Sequence, residues 1–343
     1  MTIVQSVGGR GCGCDTADIR STLVSIDDAL ARLAAAVAPV SGTDLVDFAL
    51  ARGRVLAEPV VAGACVPPFD NAAMDGYAVD SRALVGDGPW RLAVVGRIAA
   101  GAMSDRPLGP AAARIFTGAP LPPDADAVVM QEEIREDGRD ILIARRPTAG
   151  LNVRAAGDDL TEGEIALRAN CIIGLREIAA CAAAGAGLVR VRRRLRVALL
   201  VTGDEIREAG GARQEAQIWD VNTPMLTAAL STAAVELIAT ACGADRRADL
   251  VRQLGEMAAR ADLVVTTGGI SVGEEDHVKP ALSDLGAETL FSGVAIKPGK
   301  PVSFGRIGPA VWLGLPGNPL SAFVTWQLFG TALLRRLTGQ TTP

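Results

Sequence analysis

Four stretches of this 343-residue chain place glycine, carboxylates and lysine at spacings that suit a phosphate-like anion beside a metal ion. The most informative runs from Thr266 to Pro280 and reads TTGGISVGEEDHVKP. An apolar run leads into a glycine-rich turn, which is how a phosphate cradle begins. Yet Glu274, Glu275 and Asp276 follow, where a common phosphate loop would place Lys and Ser or Thr. Carboxylates this close raise one another's pKa unless a cation sits among them, and Mg²⁺ is held by one or two carboxylates together with substrate phosphates. The pattern therefore assigns the phosphate to Gly268, Gly269, Ser271 and Gly273, a metal ion to the acids, and the remaining negative charge to lysines. Three companion stretches share the design: TGDE (Thr202 to Glu205), AIKPGKP with Lys297 and Lys300, and PGNP (Pro316, Gly317, Asn318, Pro319). Glu205 and Asp276, each after a glycine-rich strand end, are the metal candidates. Glu274 and Glu275 suit a solvated helix start equally well. A fifth stretch, PPFDNAAMDGYAVD from Pro67 to Asp80, gathers rigid prolines with Asp70, Asn71 and Asp75, and reads either as part of a site or as a tight turn entering a new domain.

Rare residues sharpen this. Lys and Arg together number 34, yet the only lysines are Lys279, Lys297 and Lys300, all inside one short window. Lysine is a compact point charge and arginine a planar fork, so the two are not interchangeable in a crowded anion site; chance clustering of surface lysines is the alternative. The single histidine, His277, lies in a loop, which argues against Ser-His-Asp chemistry. Catalysis by such a site would be positioning plus electrostatics.

The elements that must position these loops follow from periodicity. Ser25-Ile26-Asp27-Asp28 reads as a capped helix start, with Leu30, Leu33 and Val37 at helical spacing until Pro39. A second helix is predicted over Asp44 to Ala51. From Cys65 to Arg146 short apolar runs (RLAVV, ARIF, DAVVM, DILIA) separated by Gly, Pro and Asp predict a compact β-rich domain. An alanine-rich helix is read around Leu175 to Ala184. From Arg194 onward strands and helices alternate: RVALLVT, a helix opened by Thr223-Pro224, VELIAT, a helix over Ala248 to Ala259, DLVVTT, VWLGL and a terminal apolar helix. That is a doubly wound α/β domain, in which ligands bind beyond the carboxyl ends of the strands. TGDE, GGISVGEED and PGNP all fall at such ends.

Composition limits the alternatives. Half the chain is apolar (49%) and the charge is −5, which argues against a basic nucleic-acid-binding surface. No run of about eighteen apolar residues predicts a membrane span, and MTIVQSVGGRGCGCD lacks the core of a signal peptide. The expectation is a cytoplasmic protein with reduced cysteines. Cys12 and Cys14 are half of a metal or redox site, or belong to a tail without a role.

PPFDNAAMDGYAV, TGDE, the TTGG-SVG-acid-Asp stretch with its Lys, KPGKP and LPGNPLSA follow one another as in the molybdopterin molybdenumtransferases, which the chain resembles from about Ser25 to Gly339. The resemblance implies a multidomain protein. Residues 1–20 would be a flexible tail, 21–64 and 147–190 an elongated linker domain, 65–146 the β-rich domain and 191–340 the molybdopterin-binding α/β domain. It implies a homodimer in which the PPFDNAAMDGYAV stretch of one chain faces the α/β site of the other. It also implies the reaction: molybdate inserted into adenylylated molybdopterin, with Mg²⁺ and release of AMP, as the final step of molybdenum cofactor synthesis. Carried over by motif, Asp75, Asp159, Glu205, Asp262 and Asp276 are the functional acids, with Glu205 and Asp276 on the metal. Lys279, Lys297, Lys300 and Ser321 join the glycines and the PGNP turn as substrate contacts. Molybdopterin adenylyltransferase and molybdoenzymes are the implied partners. Two departures stand out: the family continues past the terminal helix into a small β domain, whose absence is the expectation here because the sequence stops at Pro343, and Ala72 stands where the family often has Ser. A molybdopterin-binding or cofactor-delivery protein, and a molybdopterin adenylyltransferase, are the competing readings.

Overall fold

The structure, a computed structural model, describes residues 23–243, 246–270 and 276–341. The tail with Cys12 and Cys14, and Ser271, Gly273, Glu274 and Glu275 of the acidic loop, lie outside the described residues. Two compact units share the chain. One takes the described chain up to Glu58, residues 169–174 and the chain from Arg190 onward; the other takes Pro59–Arg168 and Leu175–Val189. The segments read as a linker domain are divided between these two units.

Helix α1, Ile26–Ala36, opens the first unit, and the Ser25 hydroxyl accepts from the Asp28 N–H at 3.0 Å as the cap predicted. Its last turn carries no basic residue, so Arg336 Nε donates to the Val37 carbonyl at its C-cap (3.0 Å) and Arg306 donates to Ala36. The helix expected over Asp44 to Ala51 does not form. Strand β1, Thr43–Asp47, runs there instead, followed by a single 3₁₀ turn at Phe48–Leu50. Two local contacts decide it. The Asp44 carboxylate is held at 2.6 Å by the buried Arg54, and Asp47 Oδ1 accepts from the Ala49 N–H, capping the short turn.

The second unit is built on β2 (Gly76–Val79), β3 (Trp90–Ile98), β4 (Ala112–Ile115), β5 (Ala127–Met130), β6 (Ile134–Asp137) and β7 (Asp140–Ile143), with helix α2 at Leu175–Ala183. The sheet order is β5-β2-β4-β3-β7-β6; β3 and β4 pair in parallel and the rest antiparallel. β2 lies between β5 and β4 and is buried along its whole length. Tyr77 and Val79 face a cluster with Leu92 and Ile141, and Ala78 faces a second with Ile115 and Val128.

From Leu195 the first unit resumes as β8 (Leu195–Thr202), the short parallel pair β9 (Ile206–Arg207) and β10 (Ile218–Trp219), α3 (Asn222–Leu230), β11 (Val235–Gly243), α4 (Arg247–Arg260), β12 (Leu263–Thr267), α5 (Val278–Asp284), β13 (Glu288–Ser292), β14 (Ser303–Ile307), β15 (Ala310–Leu315), α6 (Pro319–Thr325) and α7 (Thr331–Thr338). The sheet order is β11-β8-β12-β15-β14-β13, the first four strands parallel and the last two antiparallel. β8 alternates between two cores. Val197, Leu199 and Val201 meet Leu33 of α1 and Leu226 of α3, whereas Ala198 and Leu200 meet Leu250 of α4 and Leu282 of α5. With both faces covered, the parallel strands read as continuous apolar runs. From β8 the chain passes through α3 to β11 on one side, then returns through α4 to β12 on the other. The carboxyl ends of β8 and β12 therefore flank a topological switch point.

Candidate functional site

A cavity of about 350 Å³ opens at that switch point, within the range of ligand sites. Its walls come from the carboxyl ends of three parallel strands: Thr202, Gly203 and Glu205 after β8, Gly268, Gly269 and Ile270 after β12, and Pro316, Gly317 and Pro319 after β15. Asp276, Pro301 and the segment Ile218–Asn222 complete it. At Gly268 the backbone has φ +91°, and a Cβ there would lie 2.6 Å from the Thr202 carbonyl oxygen. Only glycine lets β8 and β12 close up in this way.

Asn222, the first residue of α3, ties the ends of β12 and β15 together. Its Nδ2 donates to Thr267 Oγ1 (2.9 Å) and to the Gly317 carbonyl (2.8 Å), while the Thr267 hydroxyl donates to the Pro316 carbonyl (2.9 Å). Asn222 Oδ1 and Thr202 Oγ1 are buried without a hydrogen-bond partner among the described residues. Such atoms are costly to leave unmet, and both residues line the cavity. Asp220 is already occupied, since its Oδ1 accepts from the Thr223 N–H at 2.9 Å.

The predicted site residues separate into three groups. Glu205, Asp276, Gly268, Gly269, Pro316, Gly317 and Pro319 meet at the cavity. Near it stands Lys279, in the first turn of α5; burial pushes its ammonium pKa down, and the charge of Asp276 acts in the opposite sense. The KPGKP turn reaches the cavity through Pro301, with Lys297 exposed and Lys300 half-buried. Asn318 and Ser321 do not line the cavity. Asn318 caps α6, accepting from the Ser321 N–H at 3.2 Å and from its hydroxyl at 3.5 Å.

Asp75 and Asp159 belong to the β-rich unit. The Asp75 carboxyl is held below the usual range by the Thr117 backbone N–H (2.8 Å) and then by the Thr117 hydroxyl (2.9 Å). Asp159 is exposed and paired with Arg154.

Asp262 is not brought to the cavity. It precedes β12, at the amino ends of the strands, where its main chain bonds to Arg196 and Val311. Burial alone would push its carboxyl up, but hydrogen bonds from Arg193 (2.7 and 2.9 Å) and Arg196 (3.1 Å) overcome this and hold it at about 2. Its surroundings are those of a structural ion pair.

Sequence reasoning passed over Thr117, Asn222 and Trp219, and took Thr202 only as the start of the TGDE stretch. One signal was available: Thr117-Gly118, Thr202-Gly203 and Thr267-Gly268 are all Thr-Gly steps after a strand, with the hydroxyl where a strand stops and the glycine where the chain must turn.

Comparison with known proteins agrees with this geometry. Residues 24–185 match the MoeA N-terminal region (domain I and II), and residues 198–336 a probable molybdopterin binding domain. The molybdopterin molybdenumtransferase of Haemophilus influenzae is 35% identical over 321 residues, covering 93% of this chain and 78% of its own. The chain belongs to the molybdopterin molybdenumtransferase family. A second family member, from a Nostoc species, is 38% identical over 304 residues, covering 87% of this chain and 70% of its own. Among solved structures, the molybdopterin biosynthesis moeA protein from Pyrococcus horikosii superposes with a TM-score of 0.79 at 31% identity, over 94% of this chain and 81% of that one. In the family's terms, the cavity lies within the stretch matched as the molybdopterin binding domain, and Asp75, Thr117 and Asp159 lie within the amino-terminal region.

Proposed function

We propose that the protein inserts molybdate into adenylylated molybdopterin and releases AMP, the last step in making the molybdenum cofactor. The observation that carries this reading is the cavity at the switch point. It has a glycine-lined floor, three carboxylates (Glu205, Asp276 and Asp220, the last engaged by the Thr223 N–H) and polar atoms on Thr202 and Asn222 that are unspent among the described residues, in a chain of this family.

The residues do their work by position. Gly268 and Gly317 leave no side chain between the strand ends and the ligand, which admits a phosphate closely. Asn222 holds the loops of β12 and β15 in register. Lys279, Lys297 and Lys300 offset the negative charge of molybdate and phosphate. Glu205 and Asp276 would hold Mg²⁺. Among the described residues no three His, Cys, Asp or Glu gather as a closed metal site; two carboxylates suit an ion that takes its other ligands from water and substrate phosphate. Bound there, Mg²⁺ would neutralise charge on the phosphate that leaves with AMP.

Asp75 acts, on this reading, in a homodimer, where the resemblance sets its stretch against the site of the second protomer, and Asp159 is a further functional acid of the amino-terminal region. We place the work in the cytoplasm, between an adenylyltransferase that supplies the substrate and molybdoenzymes that receive the product. Among the described residues no helix is long and apolar enough to cross a membrane. The test is AMP release from adenylylated molybdopterin, with and without molybdate and with and without Mg²⁺. Release that requires both supports the proposal. Binding of the substrate with no release under any condition would sink it in favour of a carrier.

A further inference from the structure

The cavity also has an exposed apolar rim. Ile218, Trp219 and Val221 all line it, and each is about half exposed (52, 52 and 49%). Leaving apolar side chains in water is unfavourable, and these three stand together at the mouth of a ligand cavity.

The indole of Trp219 is held in place. Its Nε1 donates to the Gly211 carbonyl at 3.4 Å, and the Arg213 guanidinium lies over the ring, 5.5 Å from its centroid. Arg213 is itself fixed by donating to the Gln217 carbonyl. The main chain is anchored where Arg207 of β9 pairs with Trp219 of β10, and the Asp220 N–H donates to the Arg207 carbonyl at 2.7 Å. A cation on the ring and a hydrogen bond at its edge fix the plane while half the residue stays open. Trp312 and Trp326, by contrast, are buried in the core.

Resting on the reading above, we infer that Trp219 is the stacking platform for the flat nitrogen heterocycle of the substrate, so that it determines which ligands the cavity accepts. An aromatic side chain stacks on any such ring, because each has a π face. The polar floor complements this. Pterin and adenine both carry a donating amino group, and the unspent atom that Asn222 presents is an acceptor, Oδ1. The site therefore suits a molecule with an anionic end for the glycines and lysines and a flat end for the rim.

The test titrates the intact protein by calorimetry with three probes: AMP, pterin-6-carboxylate and ribose 5-phosphate, which has the sugar phosphate but no ring. Trp219→Ala and Trp219→Leu should weaken binding of AMP, of the pterin or of both about tenfold. Trp219→Phe should retain most of the affinity, and ribose 5-phosphate should bind every variant alike. A loss confined to AMP assigns adenine to the indole, and a loss confined to the pterin assigns the pterin. Trp219→Leu binding both rings as the wild type does would overturn the inference, since bulk without a π face would then suffice. Wild-type turnover of adenylylated molybdopterin, measured alongside, separates the two claims. Turnover with a Leu variant that binds both rings normally removes the platform alone, whereas a wild type with neither turnover nor binding of either ring removes the platform and the proposed reaction together.

Discussion

Replacing Asp262 by Asn would remove the carboxylate that Arg193 and Arg196 hold, and the effect belongs to stability. Its folded pKa of about 2 lies below the ordinary 3.8, so the group stabilises the fold above pH ~4 and loses that contribution as the pH falls from about 4 toward 2. Asp262→Asn should cost about 2 kcal/mol at pH 7, with the gap to wild type narrowing below pH ~4 in urea titrations and turnover unchanged. Wild-type stability with lost turnover would return Asp262 to the active site. Thr117 is the converse case, a residue with no charge that sets one. Thr117→Val keeps the N–H but removes one of the two bonds that lower the Asp75 pKa, so the acid limb of the turnover–pH profile should move to higher pH, and Thr117→Ser should restore it. An unmoved limb in Thr117→Val would mean that the Asp75 charge plays no part. Neither role could be read from the sequence. Thr117 lies 42 residues from Asp75, and nothing local to either shows the contact. Asp262 did carry a local signal, its place before β12 at the amino ends of the strands, but the resemblance assigned it a role that this place does not support.

At the scale of elements, the strand-end turns carry the site. Gly268→Ala would set a Cβ 2.6 Å from a carbonyl oxygen at φ +91°, which should cost about 1–3 kcal/mol in strain and separate the ends of β8 and β12. The expected result is a lower melting temperature together with lost substrate binding; a variant as stable and active as wild type would show the closeness of the strands to be incidental. The KPGKP turn makes the opposite prediction. Lys297→Arg and Lys300→Arg keep charge and fold but exchange a compact ammonium for a planar fork. Each should weaken molybdate-dependent turnover by about 1–3 kcal/mol without lowering the melting temperature, and wild-type molybdate titrations in both would make the turn a bystander. These elements were largely legible in the sequence, because RVALLVT and DLVVTT are unbroken apolar runs and Ser25 is a side-chain cap. The helix expected over Asp44 to Ala51 was not, because its acids are taken by Arg54 and by the Ala49 N–H, partners that periodicity does not see. The acids and glycines of the cavity were legible, since strand ends announce themselves. Its apolar rim was not, because Trp219 sits in a two-residue strand that no pattern marks.

For the whole molecule, the homodimer reading makes a prediction that a monomer cannot meet. If Asp75 serves the site of the second protomer, mixing an Asp75→Asn chain with an Asp276→Asn chain should recover part of the turnover that each lacks alone, because some hybrid dimers contain one intact site. No recovery, with dimers confirmed by sedimentation, would confine each site to its own chain. The cavity floor has a further consequence, in the currency of heredity. Mutation rewrites side chains and leaves the main chain's chemistry alone. At Gly268 and Gly317 the cavity faces main chain, so a coding change there can add bulk but cannot substitute one functional group for another. Ile218 and Trp219 at the rim can be exchanged freely without touching that floor. New ligand preferences in this lineage should therefore arise at the rim, while the floor can only be kept or lost.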